Sequence, residues 1–354
     1  MTALADIIRS HIRQTGPLTL AQYMEMCLLH PEHGYYNQPT PIGARGGFIT
    51  APEISQMFGE MVGLALAACW QDQGSPPAFA LLDLGPGRGT LMSDCLRATG
   101  RVEGFRSAAR LHLFEASRSL RNVQMARLGA FDPVWPRSLM ELPAMPLFAI
   151  ANEFIDVLPV RQFRRIGRGW AECMVGLKKG ALTMGFVSCD ASVGINDRFG
   201  HCVEGDIVEI RPAAEQITST LAGHIARHGG LLLIIDYGEE KLTGPTFQAV
   251  TDHQSADPMA APGNADLTSH VDFGGLIGAA APLAHAGPCP QGAYLECLGI
   301  TERARSLAAE LRERELAEHT AAFRRLVHPE EMGNLFKVLA LYPPDAPVPP
   351  GFVT

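Results

Sequence analysis

From residue 78 onward, short apolar runs alternate with stretches of helical periodicity, and this alternation constrains the fold more than any other feature of the chain. The apolar runs have the length and the composition of buried parallel strands. They fall at Ala80–Leu84, Leu111–Phe114, Leu147–Ala151 and Leu231–Ile235. Helical stretches fall at Leu91–Thr99 and Leu120–Leu128. This strand–helix alternation predicts a doubly wound, mostly parallel α/β sheet.

Two additions to the α/β domain are predicted from the patterns around it. The first seventy residues have helical character, and one helix there is predicted to begin with a capping box of Thr50 and Glu53. We therefore expect a helical N-terminal extension over 1–75 and the α/β domain over 76–354. Turn-rich segments with strand character predict an antiparallel hairpin inserted at about 160–212.

The C-terminal third contains fewer clear strands. Loops are expected at Gly263–Leu267 and Pro282–Gly292, because glycine, proline and small residues dominate both segments. A charged helix is predicted over about Glu302–Leu326, and a final strand over Leu335–Leu341. Each of these boundaries depends on local periodicity alone.

Composition excludes several classes of protein. With 47% hydrophobic and 19% charged residues, a chain of 354 residues can bury a large core, so extended disorder is excluded. The net charge is −8 and Lys and Arg are not clustered, which argues against binding to nucleic acid. The apolar stretches are shorter than the roughly 18 residues that span a bilayer, and the N terminus lacks a signal-peptide pattern. We expect no membrane insertion and a cytoplasmic protein.

Metal binding also has little support. None of the eight cysteines falls in a C-x-x-C pair, and the histidines show neither H-x-x-H nor H-E-x-x-H spacing. We therefore predict no metal site and expect small buried thiols in a reducing compartment.

A glycine-rich turn follows the first predicted strand, in Leu82–Thr90. The candidate cofactor-binding residues of this turn are Gly85, Pro86, Gly87, Gly89 and Thr90. Glycines between a parallel strand and a helix let a ligand approach the main chain where a Cβ would collide. The spacing is G-x-G-x-G rather than the G-x-G-x-x-G that seats a pyrophosphate, and Arg88 is the one cation nearby in sequence. A ligand without phosphate is therefore favoured over a dinucleotide.

Acidic residues at two strand ends specify the ligand further. Asp83 lies at the end of the first strand, where its carboxylate could face an ammonium group. Glu115 ends the second strand, where a carboxylate can accept two hydrogen bonds from ribose hydroxyls. S-adenosyl-L-methionine carries an ammonium, a sulfonium and a ribose but no phosphate, and we predict it as the cofactor. A purely structural turn with a solvated Glu115 is the alternative.

A second polar cluster follows the third strand, within Asn152–Pro159. This strand neighbours the first in doubly wound sheets, so its end faces the same crevice. Methyl transfer requires the acceptor atom to be held within about 3–3.5 Å of the methyl group. The carboxylates of Glu153 and Asp156 match a guanidinium acceptor, and together with Asn152 they are the candidate catalytic residues. Helix capping by the same residues is the other interpretation, and Asp236 admits both a structural and a site role.

Eight segments, taken together, resemble a known family. They are Pro31–Tyr36, Gly47–Gly59, Leu84–Leu91, Asn152–Pro159, Asp236–Gly238, Ala265–Phe273, Gln291–Ile300 and Met332–Leu341. In this order they are similar to the MidA-like methyltransferases, the family that includes the mitochondrial complex I assembly factor acting as a protein arginine methyltransferase. The resemblance extends from about residue 20 to residue 342.

The resemblance implies a Rossmann-like class I methyltransferase fold that uses S-adenosyl-L-methionine. It implies a protein arginine as methyl acceptor, on a subunit of the respiratory NADH dehydrogenase. The family's cofactor loop matches Gly85, Gly87 and Gly89, and its N-E-F-x-D motif matches Asn152, Glu153, Phe154 and Asp156. A further motif matches Gly46–Glu53, and in this region Thr50 and Ser55 are additional candidate cofactor-binding residues.

Three alternatives remain open. The family usually has Asp where this chain has Gly47, and a more basic pattern near Gln248, which leaves room for an assembly chaperone that retains the fold without turnover. An NAD(P)-dependent oxidoreductase is disfavoured by the glycine spacing. A methyltransferase acting on a small molecule is compatible with the same motifs.

Overall fold

The structure is a computed structural model, and it describes residues 2–38, 50–190, 193–251 and 254–352. The α-helices are α1 Ala3–Thr15, α2 Leu20–Leu29, α3 Ala51–Ile54, α4 Gln56–Asp72, α5 Thr90–Ala98, α6 Phe105–Ala108, α7 Arg118–Leu128, α8 Val193–Phe199, α9 Pro212–His228, α10 Phe273–Ala279, α11 Gln291–Cys297, α12 Ile300–Ala308 and α13 Glu313–Val327. The strands are β1 Leu18–Thr19, β2 Phe79–Leu84, β3 Ala109–Phe114, β4 Leu147–Asn152, β5 Arg161–Ile166, β6 Gly169–Lys178, β7 Ala181–Cys189, β8 Ile207–Ile210, β9 Gly230–Glu239, β10 Gln248–Thr251, β11 Gln254–Ala256, β12 Asp266–Thr268, β13 Val271–Asp272, β14 Ala284–Pro290 and β15 Phe336–Tyr342.

The chain divides into two compact units. The described residues of the first unit lie within 1–48, 156–214 and 241–272, and those of the second within 49–155, 215–240 and 273–354. This division differs from the predicted boundary at residue 75, because helix α4 belongs to the second unit and packs there against α5. Each unit has its own hydrophobic core.

The second unit contains a mixed sheet with strand order β14-β15-β9-β4-β2-β3. Strands β9, β4, β2 and β3 are parallel to one another, and β15 and β14 are added antiparallel at one side. The α/β class and the parallel core are as the sequence predicts. Strand β4 pairs with β2 on the side opposite β3, so the chain reverses its direction of growth between β2 and β4. Ligands bind beside such a reversal in open α/β sheets.

Burial explains why these strands were recognisable in the sequence. Every residue of β2 and of β4 is buried, and β9 is buried up to its last residue. A strand covered on both faces has a continuous apolar sequence, and such runs stand out against the amphipathic helices between them.

The first unit contains an antiparallel sheet with strand order β1-β6-β5-β8, and β7 pairs with β6. The antiparallel strands expected over 160–212 are therefore part of a larger sheet than a hairpin. Strand β1, which comes from the N-terminal segment, pairs with β6 through Leu18 and Val175. A small second sheet of β11, β10 and β12 belongs to the same unit.

Three local predictions near the C terminus were wrong. The loop expected at Pro282–Gly292 contains strand β14, in which Pro288 and Pro290 are tolerated because β14 is at the end of the strand order and needs few ladder donors. The helix expected over Glu302–Leu326 is two helices, α12 and α13, and Glu313 at the start of the second has a positive φ of 43°. The loop expected at Gly263–Leu267 includes the start of β12.

Helices α2 and α3 begin in different ways. Helix α2 begins with a capping box in which Thr19 and Gln22 exchange hydrogen bonds, and it ends at Leu29. At Thr50 the predicted capping box does not form, because the Thr50 side chain makes no capping hydrogen bond. The helix is instead interrupted at Ser55, whose extended backbone (φ −158°) separates α3 from α4.

Candidate active site

The polar residues predicted from the sequence lie at the carboxyl ends of the four parallel strands of the second unit. The glycine turn follows β2, Glu115 follows β3, and Asn152 is the last residue of β4. Asp236 lies in the last third of β9 and pairs in register with Lys337 of β15. Because these strands are parallel neighbours, their carboxyl ends form one edge of the sheet.

The glycine turn has a backbone conformation that suits glycine. Gly85, Gly87 and Gly89 all have positive φ, at 67°, 53° and 75°. A Cβ on Gly85 would lie 2.7 Å from Cδ2 of Phe154, which is too close for a real side chain. The Gly89 amide donates to the carbonyl of Pro86 at 2.7 Å and closes the turn. The Phe154 ring therefore fills the space that a Cβ on Gly85 would need, and the role of these glycines in cofactor binding stays a prediction.

Glu115 is held by its own loop and by helix α7. Its Oε1 accepts a hydrogen bond from the Ser117 amide at 2.8 Å, and its Oε2 accepts one from Nε2 of Gln124 at 3.1 Å. Burial raises the pKa of Glu115 above its ordinary value, and these hydrogen bonds and the nearby Arg121 oppose that rise. The carboxylate is thus oriented at the end of β3 as the sequence predicts.

Gln124 is a site residue that the sequence analysis missed. The same Nε2 that bonds Glu115 also donates to the carbonyl of Gly87 at 2.7 Å, and Oε1 accepts from Nε1 of Trp135 at 2.7 Å. Gln124 therefore ties the glycine turn to the acid on the next strand. The signal was present: Gln124 is a fully buried amide between Leu120 and Leu128 on the apolar stripe of α7.

Asp83 is buried without a complete set of partners. Its side chain lies in β2 with 2% exposure, and its Oδ2 has no hydrogen-bond partner in the part of the chain that the structure describes. Burial, together with the charge of Glu115, raises the pKa of Asp83 to about 8. Native structures rarely leave a buried acid in this state. The carboxyl groups of Asp83 and Glu115, beside the glycine turn, suit a cationic ligand that bears hydroxyl groups.

The turn after β4 is strained and well bonded. Glu153 has a positive φ of 49°, and its amide donates to the carbonyl of Ile235 at 2.9 Å. Its Oε1 accepts from the Ala51 amide at 3.0 Å and from Nδ2 of Asn152 at 3.3 Å. A non-glycine residue in this conformation is uncommon and clusters at functional sites. Within the described residues, Oδ1 of the buried Asn152 has no partner.

Asp236 has the structural role that the sequence left open. It is fully buried, its Oδ2 accepts from the Ile155 amide at 3.0 Å, and its Oδ1 accepts from the Tyr237 amide at 2.9 Å. It thereby fixes the end of the Asn152–Ile155 turn to strand β9.

Asp156, the third candidate catalytic residue, belongs to the first compact unit. Its main-chain oxygen accepts from the Ser269 amide at 3.1 Å and from Nη2 of Arg211 at 3.2 Å. Its carboxylate faces Asp266, whose pKa rises to about 7 because of burial and of this neighbouring charge. The Tyr36 hydroxyl donates to Oδ1 of Asp266 at 3.0 Å.

The two candidates before α4 differ in their contacts. The Ser55 hydroxyl accepts from the Met57 amide at 3.2 Å and caps α4, so it contributes to the fold. Thr50 is half-buried at the start of α3. Gly47, the position of one departure from the family pattern, lies outside the described residues, whereas Gln248 lies in β10 and pairs with Thr268.

The cysteines, the possible metal-ligating side chains and the long helices were also predicted from the sequence. All eight cysteines are free thiols. Residues 2–38, 50–190, 193–251 and 254–352 contain no group of three or more His, Cys, Asp or Glu side chains arranged to hold a metal ion. Within the same ranges, none of the helices has the length and apolar character that crossing a membrane requires.

Comparison with known proteins defines the class. Residues 61–288 match the family model described as "Putative S-adenosyl-L-methionine-dependent methyltransferase". The human protein arginine methyltransferase NDUFAF7, mitochondrial, is 34% identical over 94% of this chain and 81% of the human protein. The Drosophila melanogaster homologue of that protein is 31% identical over 96% of this chain and 85% of the fly protein. The chain therefore belongs to this family of S-adenosyl-L-methionine-dependent methyltransferases.

A solved structure supports the same assignment. The crystal structure of a protein from Burkholderia thailandensis bound to S-adenosyl-homocysteine is 26% identical, with a TM-score of 0.82 over 99% of this chain and 93% of that protein. S-adenosyl-homocysteine is what remains of the cofactor after methyl transfer. The protein is an enzyme that uses S-adenosyl-L-methionine. The glycine turn, the incompletely paired Asp83 and the carboxylate of Glu115 fit that cofactor.

Proposed function

We propose that this enzyme transfers a methyl group to the guanidinium of an arginine in a protein, and that the acceptor is a subunit of the respiratory NADH dehydrogenase. Relatives that cover nearly the whole chain are named protein arginine methyltransferases, which supports the first part. The observation on which the proposal depends is Glu153, a carboxylate held by two hydrogen bonds in a strained turn beside the glycine turn.

The cofactor is proposed to bind along the glycine turn. Main-chain atoms of Gly85, Pro86, Gly87 and Gly89 would contact it where a side chain would collide. Asp83 would accept a hydrogen bond from its ammonium group, and Glu115 would accept two from its ribose hydroxyls. Thr90, Thr50 and Ser55 stay candidates for the same role. The bound cofactor supplies an electrophilic methyl group on a sulfonium.

The protein's part in the transfer is to orient the acceptor and to exclude water. A carboxylate matches the paired N–H groups of a guanidinium, and Glu153 would hold the acceptor nitrogen toward the cofactor. Because Glu153 is already fixed by Ala51 and Asn152, little rotamer freedom is lost on binding. Asn152 would add an amide oxygen. Asp156 belongs to the other unit, and its predicted role stays a prediction, as does a cytoplasmic location.

The substitution Glu153→Gln separates binding from transfer. It removes the charge but keeps the shape, so we expect the Kd for S-adenosyl-L-methionine to change by less than about twofold, while transfer falls by about 100-fold or more, corresponding to a lost charged hydrogen-bond pair. The measurements are titration calorimetry and transfer of a radiolabelled methyl group to a purified NADH dehydrogenase subunit. Glu302→Gln, which changes an exposed glutamate paired with Arg305, is the matched control.

Each alternative has its own outcome in this experiment. Normal turnover by Glu153→Gln would contradict the role of that carboxylate. If the wild-type protein binds both cofactor and acceptor but transfers nothing, the assembly-chaperone interpretation is favoured. Mass spectrometry of acceptor proteins from cells with and without this chain identifies the methylated residue, and a small-molecule acceptor would leave those proteins unchanged.

A further inference from the structure

One contact within the second unit connects the glycine turn after β2 to the short helix α3. Glu53, in the short helix α3, accepts hydrogen bonds from the Thr90 hydroxyl and from Nη1 of Arg88, the latter at 3.3 Å. Arg88 lies in the glycine turn, and Thr90 is the first residue of the helix that follows it. The Glu53 side chain is 16% exposed, so this contact is largely shielded from water.

Glu53 makes this contact in place of a local one. A glutamate three residues after Thr50 would be expected to bond back to the Thr50 amide in a capping box. No side-chain cap forms at Thr50, and the carboxylate instead reaches residues 35 and 37 positions further along the chain. Helix α3 therefore begins without a capping hydrogen bond, and the glycine turn after β2 gains the hydrogen bonds to Glu53.

The same segment holds the candidate catalytic carboxylate. The Ala51 amide donates to Oε1 of Glu153 at 3.0 Å. Ala51 and Glu53 are in the same helical turn, so a displacement of Glu53 also displaces the Ala51 amide. One face of α3 therefore bonds the turn after β2, and its first amide bonds the turn after β4.

The Thr90 hydroxyl is already committed within the protein. It donates to Glu53 and accepts from Nη1 of Arg127 at 2.5 Å. A hydroxyl has a single proton to donate, so Thr90 has no hydroxyl proton left for a ligand. Its predicted part in cofactor binding is consequently to fix the turn rather than to donate to the cofactor.

We propose that Glu53 is a positioning residue for the cofactor: by bonding Thr90 and Arg88 it holds the glycine turn in the conformation that binds S-adenosyl-L-methionine, and through Ala51 it holds Glu153 beside that turn. The part that concerns Glu153 rests on the proposed function. The part that concerns the cofactor depends only on the enzyme class.

The test measures binding of S-adenosyl-homocysteine to the whole protein by titration calorimetry. Glu53→Gln keeps an oxygen for Thr90 but loses the charge that faces Arg88, and we expect the Kd to rise about threefold. Glu53→Ala removes both bonds, and we expect a rise of about tenfold or more, the size expected for a charged hydrogen bond. A loss of affinity that is smaller in Glu53→Gln than in Glu53→Ala would identify Glu53 as a positioning residue.

A double-mutant cycle with Thr90→Val tests whether Glu53 acts on the cofactor site through its hydrogen bond with Thr90. If Glu53 acts through the Thr90 hydroxyl, the Kd of the double variant should be no higher than that of the weaker-binding single variant. Additive effects would contradict that path.

The matched control is Glu60→Gln in helix α4. Glu60 is a buried glutamate that bonds Arg97 and Arg303, and it makes no contact with the glycine turn among the hydrogen bonds of the described chain. Its substitution should lower the melting temperature and leave the Kd within twofold of wild type. If Glu53→Gln and Glu53→Ala behave like Glu60→Gln, Glu53 is merely structural and the proposal is overturned.

The outcomes distinguish an error in the role of Glu53 from an error in the cofactor site or in the proposed acceptor. Should Glu53→Ala fail to fold, Glu53→Gln and Thr90→Val decide the question, with folding checked by circular dichroism. Failure of the wild type to bind S-adenosyl-homocysteine would contradict the cofactor site itself. Because no acceptor is present, an error in the proposed arginine substrate cannot alter the result.

Discussion

Asp83 and Asp236 occupy similar places in the second unit but have opposite surroundings. Each lies near the carboxyl end of a buried parallel strand, and neither is more than 2% exposed. Asp236 accepts hydrogen bonds from two main-chain amides, of Ile155 and of Tyr237. Asp83 has one oxygen without a partner within the described residues. The difference distinguishes a carboxylate whose hydrogen bonds hold a turn in place from one that keeps an unpaired oxygen, which we propose is used by the cofactor.

This comparison also explains why the two strand ends look alike in the sequence. An acid after a buried apolar run has the same pattern in both cases. What differs is the path of the neighbouring chain: the turn after β4 brings the Ile155 amide to Asp236, whereas the Gly85 amide in the turn after β2 donates to the carbonyl of Phe114. The three substitutions below act on the two sides of this comparison, in order of decreasing expected effect.

Gly87→Val should have the largest effect, because it adds a side chain to the glycine turn beside Asp83, where the cofactor is proposed to bind. Valine at a φ of 53° is strained, and its side chain would add bulk to the proposed cofactor turn. We expect cofactor affinity to fall by more than about 100-fold, to below detection by calorimetry. Gly74→Val is the matched control, since Gly74 also has a positive φ (86°) but a Cβ there meets nothing within 4 Å. Unchanged affinity in Gly87→Val would count decisively against the cofactor turn.

Asp236→Ala acts on the structural side and should come second. It leaves the buried amides of Ile155 and Tyr237 without their acceptor. Each unsatisfied buried donor costs about 1–3 kcal/mol, so the loss of both bonds should lower the free energy of unfolding by about 2–6 kcal/mol. Urea denaturation measures this. A loss below about 0.5 kcal/mol would mean that these bonds do not hold the turn, and the contrast with Asp83 would disappear.

Asp83→Asn should have the smallest effect at acidic pH, where Asp83 is neutral in both the folded and the unfolded state, and its effect is seen as a pH dependence. The pKa of Asp83 is about 8 in the folded protein because of burial and of Glu115, whereas an unfolded aspartate titrates near pH 4. Between these pH values the folded state binds more protons than the unfolded state. This contribution to stability is therefore complete below about pH 4 and is lost as the pH rises through about 8. The variant lacks it.

Urea denaturation of the ligand-free protein at several pH values checks the sign. The stability of wild type relative to Asp83→Asn should decline steadily from about pH 4 to pH 8. Calorimetry in two buffers of different ionisation enthalpy gives an independent reading, because a cationic ligand beside Asp83 should release a proton on binding to wild type at pH 7 and not to the variant. A stability difference that rises with pH would show that Asp83 is ionised in the folded protein.

The extent to which sequence predicted this molecule differs between its two units. In the second unit the strands at 79–84 and 147–152 were predicted within a residue or two, because each is an uninterrupted apolar run. In the first unit β1 pairs with β6 across more than 150 residues, and β1 has only two residues. A strand that short has no periodicity to detect, so its existence depends on its partner.

Part of the candidate site was predicted from the sequence for the same reason as the strands of the second unit, namely that the pattern depends on adjacent residues. The sequence alone determined the glycine turn and the acids at the strand ends, since positive φ and buried strands depend on residues adjacent in the chain. It did not reveal that the Gln124 side chain forms hydrogen bonds with both Gly87 and Glu115. Nor did it reveal that Glu53 accepts a hydrogen bond from Thr90 instead of forming the predicted capping box. Only the tertiary structure decided that both oxygens of Asp236 are paired and that Asp83 keeps an oxygen without a partner within the described residues, because hydrogen-bond partners come from residues distant in sequence that folding brings within about 3 Å.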